Sequence, residues 1–250
     1  MLQEIEDIID GDALLFNKKS TKTPARIQVG REGLRPKTST ILKFRYDHAL
    51  AVDAVYGTVS DTFLDELSLF SVNTLATTSE TFIRRPDLGR RFNDETKKLL
   101  LEKCIRNPQV QIILSNGLSA SAIEANAMDT YLSLVQSLEN EGLQLGTSFY
   151  IRNGRVGAMD DVGELLKPDV VVYLIGERPG LATAESMSVY MAYKPHLGTI
   201  ESERIVISNI HDTGMPPVEA GAYVATVVQK MLHYKASGIE LSKKENSNMF

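Results

Sequence analysis

The apolar run at 170–175 constrains the fold of this chain more than any other stretch. Valine, leucine and isoleucine flank Tyr173 there, with no alternation of polar and apolar residues. A continuous run of this length is typical of a strand buried on both faces, as in a parallel sheet with helices on each side. It ends at a charged, glycine-flanked turn, 176–180, and open α/β folds bind ligands at such strand ends. The turn is either a ligand-binding loop or an ordinary strand-to-helix turn with a solvated ion pair.

Three further short apolar runs predict strands, at 110–114, 148–151 and 204–207. Helical patterns lie between and after the strands, among them one at 184–193 and one at 216–238. This alternation is the pattern of a doubly wound, Rossmann-like parallel sheet of the α/β class. Right-handed crossovers would gather the polar strand ends at one edge of the sheet. These strand-end residues are Ser115, Asn116, Gly117, Arg155, Val156, Gly176, Glu177, Arg178, Ser208, Asn209 and His211.

The first part of the chain has a different character. Apolar residues at helical spacing predict an amphipathic helix over 1–16, and a polar, lysine-rich segment extends this to an N-terminal helix and linker over 1–23. Residues 24–107 carry several helical patterns, with no strong strand between 38 and 105, so we predict a small N-terminal helical domain there. The Rossmann-like domain would then cover 108–250.

The charge and the cysteine content exclude several classes of protein. A net charge of −5 gives no basic field for nucleic acid or an anionic membrane surface, and no apolar run is long enough to span a bilayer. The single cysteine, Cys104, has no partner for a disulfide within the chain and fits a reducing compartment. The N-terminus carries no export signal. We therefore expect a soluble cytoplasmic protein that binds neither nucleic acid nor membrane.

Motifs for the common cofactor and nucleophile sites are missing from the sequence. It contains neither the glycine-rich dinucleotide fingerprint nor a P-loop, and no Gly-x-Ser-x-Gly nucleophile elbow. The four histidines fall at no metal-ligand spacing, so we predict no metal ligands on this chain. His211, at a predicted strand end, is either a catalytic base or a hydrogen-bonding residue of its turn, and we favour the turn.

A dense group of arginines lies at 84–91, with Asp87 among them. Arginine side chains suit carboxylate or phosphate groups, and also subunit interfaces. We favour an interface, and the alternative is a solvated turn in which Asp87 neutralises part of the charge.

Five short motifs follow one another along the chain. They are Arg85-Pro86-Asp87-Leu88-Gly89-Arg90-Arg91, Asn116-Gly117-Leu118-Ser119, Asn153-Gly154-Arg155-Val156, Ile175-Gly176-Glu177-Arg178-Pro179-Gly180-Leu181 and Ile207-Ser208-Asn209-Ile210. In these motifs the chain resembles the small subunit, or light chain, of ethanolamine ammonia-lyase, over about residues 25–240. One such motif would not be specific, whereas five in the same order are.

The resemblance implies the small subunit of an adenosylcobalamin-dependent enzyme that converts ethanolamine to acetaldehyde and ammonia by radical chemistry. It implies that the large subunit, a TIM barrel, holds the substrate and the catalytic side chains, while the Rossmann-like domain of this chain covers the cobalamin. The family's cofactor-binding positions correspond to Val156, Glu177 and Val206, and no catalytic residue is expected here. Many relatives carry cysteine in place of Val206. Valine can replace it only if this position contacts the cofactor through its backbone or by packing, and not through sulfur.

The resemblance also bears on assembly and on the cobalt. It implies a hexamer of heterodimers in a bacterial microcompartment. From their amphipathic pattern, residues 1–16 would direct the chain there; the alternatives are that this helix docks on another subunit or packs on its own domain. The Asp-x-His-x-x-Gly motif, which replaces the lower benzimidazole ligand in some cobalamin proteins, is missing. The resemblance therefore points to the form that keeps benzimidazole on the cobalt, and the cofactor would bring the metal.

Two other functions stay open at this point. One is a stand-alone α/β enzyme acting on a phosphorylated or sugar substrate, with His211 and Glu177 as acid and base. The other is a non-catalytic assembly subunit that acts through the arginine group and the N-terminal helix. The stand-alone enzyme would turn over substrate by itself. The small subunit would need the large subunit and adenosylcobalamin, and the assembly subunit would bind a partner without a cofactor.

Overall fold

A computed structural model describes residues 30–180 and 183–247. The predicted helix over 1–16 and the linker that follows it lie outside these residues. The described residues divide into two compact units. The smaller lies within Met1–Val52 and Gly180–Thr183, and the larger lies within Asp53–Pro179 and Ala184–Phe250.

The smaller unit contains a short antiparallel hairpin and most of one helix. The strands of the hairpin are β1 (Arg31–Glu32) and β2 (Arg35–Pro36), and the turn between them includes Gly33 with a φ of +62°. The helix α1 (Thr38–Tyr56) follows, and its last turn belongs to the larger unit. Gly33 suits the turn because glycine adopts a positive φ without steric cost.

The larger unit is built on a six-stranded sheet with helices before, between and after its strands. Its elements are α2 (Asp61–Glu66), β3 (Phe70–Asn73), α3 (Ser79–Arg84), a 3₁₀ turn (Leu88–Arg90), α4 (Asp94–Lys103), β4 (Val110–Ser115), α5 (Ala120–Asn140), β5 (Phe149–Arg152), α6 (Ala158–Leu166), β6 (Val170–Gly176), β7 (Met187–Tyr193), a second 3₁₀ turn (Glu201–Glu203), β8 (Arg204–Ile210), α7 (Pro217–Tyr234) and α8 (Gly238–Ser247).

The strand order is β3-β5-β4-β6-β7-β8. Strands β3, β5, β4 and β6 are parallel to one another, β7 is antiparallel to β6, and β8 is antiparallel to β7. Strand β8 therefore runs in the same direction as β6. The structure confirms the α/β class and the four predicted strands. The sheet is mostly parallel, and β7 is its antiparallel strand.

The central strands are buried because helices pack on both faces of the sheet. Every residue of β6 is buried, as the apolar run predicted. On the first face, side chains of β4, β6 and β7 pack with α5 and α7. On the second face, the alternate side chains of the central strands pack with α4 and α6. The run lacks alternation because both faces need apolar side chains.

Two sequence predictions about secondary structure are wrong. Residues 187–193 form strand β7 and not part of a helix. Its side chains alternate between faces, with Met187, Val189 and Met191 in the first core and Ala192 in the second, which is the period of a strand. The segment 38–105 also contains a strand, β3, which pairs in parallel with β5.

Strand β8 contains a bulge near its end. Met187 pairs with Ile210 and Val189 pairs with Ile207, so one residue of β7, Ser188, lies opposite two residues of β8, Ser208 and Asn209. Asn209 has a φ of +64° at this irregularity. An extra residue of this kind bends the strand and interrupts its hydrogen-bond ladder. Beyond the bulge, Ile210 still returns to the first core, where it is fully buried.

Candidate functional site

The carboxyl ends of β4, β5, β6 and β8 lie at one edge of the sheet, because these four strands run in the same direction. The polar strand-end residues predicted from the sequence follow these strands. The sequence did not indicate which of them would be free to meet a ligand. The contacts at this edge show which of these polar residues form hydrogen bonds within the fold and which could still contact a ligand.

The crevice between the ends of β4 and β6 is closed by backbone. Gly117 has a φ of +50°, and a Cβ there would overlap the Gly176 carbonyl oxygen. A Cβ on Gly176 would overlap the carbonyl oxygens of Asn116 and Ser119. The Leu118 N–H donates to the Gly176 carbonyl at 3.0 Å. A ligand at this edge therefore lies beside this closed crevice and not inside it.

Several polar groups at the edge are used to hold the turns. The Ser115 hydroxyl oxygen accepts the N–H groups of Gly117 at 3.2 Å and Gly154 at 3.1 Å. The Asn116 side-chain oxygen accepts the Asn153 N–H at 2.9 Å. The Ser119 hydroxyl accepts the first-turn N–H of Ala122 and so caps α5. These side chains fix the turns and leave little hydrogen-bonding capacity for a ligand.

His211 is held within its own turn. One ring nitrogen lies 2.8 Å from the Asn209 side-chain oxygen, and the other lies 3.1 Å from the Thr213 hydroxyl. The residue is 6% exposed. The histidine is the hydrogen-bonding turn residue that we favoured, because both ring nitrogens already have partners.

The three predicted cofactor-binding residues are linked through one residue, Tyr190. Val206 lies directly opposite Tyr190 in the β7–β8 register, so the two side chains share the second face of the sheet. The Tyr190 hydroxyl lies 3.5 Å from Glu177 Oε1, a long hydrogen bond. Val156 and Tyr190 line the same cleft. Val206 is 49% exposed, so this face is open beside the Glu177 turn.

Tyr190 keeps its proton in this setting. Burial raises the pKa of its hydroxyl, and the charge and hydrogen bond of Glu177 raise it further. The hydroxyl therefore donates to the Glu177 carboxylate and orients it. Next along the same face, the Ser188 hydroxyl is buried and has no hydrogen-bond partner among the described residues. Sequence reasoning missed both residues because it placed them on a helix, where they would not share a face with Val206.

The cleft beside Tyr190 has a volume of about 480 Å³ and is rich in arginine. Its lining includes Arg90, Arg91, Arg155, Arg204, Val156, Gly157, Asp160, Tyr190 and Glu201. Arg204 pairs with Asp160 at 2.9 Å and with Glu201 at 2.6 Å. Arg91 pairs at 2.7 Å with Asp161, which is buried behind the cleft. Acidic side chains thus neutralise two of the four guanidinium groups that line the cleft.

The structure offers no site for a protein-bound metal in the part of the chain that it describes. No group of three or more histidine, cysteine, aspartate or glutamate side chains there could hold an ion. Cys104 is buried, and burial raises the pKa of its thiol to about 11. Among residues 30–180 and 183–247, no helix is both long and apolar enough to cross a membrane.

Comparison with known protein families identifies the chain. A family model described as ethanolamine ammonia-lyase light chain (EutC) matches residues 15–242, nearly the whole sequence. The chain belongs to this family. It is a family of lyase subunits, and the resemblance carried by the five motifs is confirmed.

Curated relatives agree with the family model. The chain is 49% identical to the ethanolamine ammonia-lyase small subunit of Clostridium perfringens over 237 residues, which covers 95% of this chain and 80% of the relative. It is 49% identical to the small subunit of Clostridium acetobutylicum over 88% of this chain and 90% of the relative. It is 47% identical to the small subunit of Clostridioides difficile over 92% of this chain and 78% of the relative.

Proposed function

We propose that this chain is the small subunit of an adenosylcobalamin-dependent ethanolamine ammonia-lyase and that it holds the cobalamin against a large subunit. Membership of the light-chain family supports the enzyme. The observation that carries the cofactor role is the grouping of Glu177 and Val206 around Tyr190, with Val156 on the same cleft. We also propose that residues 108–250, apart from the antiparallel β7, follow a Rossmann-like plan, with a small N-terminal domain in 24–107.

The residues on this face fit a corrin ring. A corrin combines a broad apolar ring with amide groups at its rim, so it needs both apolar contacts and hydrogen-bond acceptors. Val206 and the partly buried Val156 offer the apolar contacts. Glu177 is partly buried and offers carboxylate oxygens, of which only Oε1 has a side-chain partner among the described residues. A charge-assisted hydrogen bond to a rim amide would be among the stronger contacts available.

The cofactor, when bound, supplies the radical chemistry of the ammonia-lyase reaction, while the protein binds and orients it. In this proposal Glu177 accepts hydrogen bonds from the corrin rim, and Tyr190 keeps the carboxylate oriented. Val156 and Val206 exclude water from the ring. No side chain of this subunit transfers a proton to or from the substrate. The closed crevice at Gly117 and Gly176 gives the ring a rigid boundary.

The same proposal extends to partners and location. We propose a TIM-barrel large subunit that holds ethanolamine and the catalytic side chains, and a hexamer of such heterodimers. We propose a cytoplasmic location in a bacterial microcompartment, with residues 1–16 as the address. A chain that lacks those residues should then no longer co-localise with the shell, and continued co-localisation would contradict the address.

The cofactor role is tested by Glu177→Ala in the complex of small and large subunits. Loss of a charge-assisted hydrogen bond should weaken adenosylcobalamin binding about tenfold to a hundredfold. The KM for ethanolamine should stay nearly unchanged, because the substrate is held by the large subunit. Visible absorbance titration gives the cofactor affinity, and steady-state kinetics at saturating cofactor give the KM. The matched control is Glu219→Ala, an exposed acid in the first turn of α7, which packs on the first face.

Normal cofactor affinity in the Glu177→Ala complex would contradict the proposed cofactor role. The wild-type chain by itself should show no deamination of ethanolamine. Addition of the large subunit and adenosylcobalamin should restore it. Turnover by the chain alone would instead favour the stand-alone enzyme.

A further inference from the structure

Two arginines of the cleft are left without a carboxylate. Three acids, Asp160, Asp161 and Glu201, pair with Arg204 and Arg91. Neither Arg90 nor Arg155 forms an ion pair with any of the residues that the structure describes. Two guanidinium groups that line one cleft repel each other when neither has an acidic partner. An anion placed between them would relieve this repulsion.

Arg155 is held in place by neutral contacts. Its guanidinium carbon lies 4.2 Å from the centre of the Phe82 ring, and one terminal nitrogen donates to the Phe82 carbonyl at 3.1 Å. Its Nε is buried and has no hydrogen-bond partner within the described residues. Burial lowers the pKa of this guanidinium, and the nearby charge of Arg90 lowers it further. Neutral contacts thus fix the arginine before any ligand arrives, and no acid in the described part of the chain neutralises its charge.

Arg90 packs against the turn that follows Arg155. Its stem crosses Gly157, where a Cβ would approach the arginine Cγ to 3.1 Å and Cδ to 3.2 Å. The side chain is exposed, so its guanidinium group is accessible from the cleft. Gly157 therefore leaves room for the Arg90 stem beside the start of α6. The two arginines are 65 positions apart in sequence and meet only in the folded chain.

We propose that Arg90 and Arg155 form an anion-binding subsite for the phosphodiester in the nucleotide arm of cobalamin. This inference rests on the proposed function. The cleft also contains Val156 and Tyr190, so it is continuous with the face proposed for the corrin ring. The side chains on the corrin rim are neutral amides, and the phosphodiester is the anionic group that joins the arm to the ring. Guanidinium groups suit phosphate oxygens because they donate two parallel hydrogen bonds.

The test compares three corrinoids on the two-subunit complex. Adenosylcobalamin carries the phosphodiester, adenosylcobinamide phosphate carries the phosphate without the nucleotide base, and adenosylcobinamide lacks both. Dissociation constants are measured by visible absorbance titration, which does not depend on turnover. Arg90→Gln is the principal variant because the side chain is exposed and its removal leaves the packing on Phe82 intact. Arg106→Gln, an exposed arginine before β4 and so at the opposite edge of the sheet, is the matched control.

Arg90→Gln should weaken the two phosphate-bearing corrinoids about tenfold and leave adenosylcobinamide unchanged. Arg90→Lys should recover part of the loss, since it keeps the charge without the forked geometry. Equal losses for all three ligands, or no loss for any, would overturn the subsite. Weaker subunit assembly with unchanged corrinoid affinities would show that an acidic side chain of the large subunit occupies the subsite, and would also overturn the proposal. If the wild-type complex bound none of the three, the proposed function itself would fail, and the subsite with it.

Discussion

The close approach of Gly117 and Gly176 can be tested by adding one methyl group. Gly117→Ala adds a Cβ to a residue with a φ of +50°, and that Cβ would overlap the Gly176 carbonyl oxygen and the Ile175 side chain. Gly142 provides the matched control. It has a φ of +70°, but a Cβ there would meet nothing within 4 Å. Both substitutions carry the backbone strain of alanine in the left-handed region, and only Gly117→Ala adds the overlap.

The two effects have different sizes. The left-handed conformation costs alanine about 1 to 2 kcal/mol, so Gly142→Ala should lower the free energy of unfolding by about that amount. Overpacking adds about 1 to 3 kcal/mol, and the atom that would be displaced at Gly117 is a backbone oxygen that cannot rotate away. We therefore expect Gly117→Ala to lose about 3 kcal/mol or more. In a unit of this size each kcal/mol lowers Tm by about 2 to 4 °C, so the overlap of about 1 to 3 kcal/mol corresponds to a further drop in Tm of about 2 to 12 °C.

The assay is urea unfolding of the full-length chain, followed by circular dichroism, with wild type and both variants side by side. The midpoint difference between the two variants isolates the overlap, because the backbone term is common to them. If Gly117→Ala unfolds no more easily than Gly142→Ala, the crevice is not closed as described. A ligand would then not be confined to the space beside the crevice.

Two further predictions concern buried groups. Ser115→Ala removes the acceptor for two buried N–H groups, those of Gly117 and Gly154, and should destabilise the chain by about 2 to 4 kcal/mol in the same unfolding assay. Ser133→Ala, which loses an exposed hydrogen bond, should change stability by about 0.5 kcal/mol or less, and similar losses for the two would contradict this account. The Cys104 thiol, whose pKa burial raises to about 11, should react with iodoacetamide at pH 8 at least ~100-fold more slowly in the folded chain than in urea, as measured by mass spectrometry of its peptide. Equal rates would show that the thiol is not buried.

The parts of the fold that could be predicted from the sequence depend on local signals. The apolar run of β6 specifies its burial on both faces. Ser60 and Asn93 cap α2 and α4, and each stands just before an acidic first turn, which is a local signal of a helix start. Strand β7 was missed because Met187, Tyr190 and Met191 also satisfy helical spacing. Only pairing with strands on both sides settles its conformation, and those partners are distant in sequence.

The candidate site was predictable to a lesser extent. Val156, Glu177 and Val206 came from the family resemblance and not from periodicity. Tyr190 joins them through the register of two antiparallel strands, which the sequence does not encode locally. Arg90 and Arg155 lack an acidic partner among the described residues because the nearby acids form ion pairs with other arginines. Tertiary contacts, such as that of Arg204 with Asp160, decide which arginines are paired.

The bulge in β8 affects whether two copies of this subunit can pair through the edges of their sheets. The last strand of a sheet exposes unpaired backbone groups that can recruit a strand from a second copy and start aggregation. At Asn209 the inserted residue bends that margin and breaks its regular ladder, and at the opposite margin β3 is only four residues long. Neither border of the sheet is therefore a good template for another strand. The face of β7 and β8 that carries Val206 can therefore stay open to a ligand, while the edges of the sheet disfavour pairing with a second copy at high concentration.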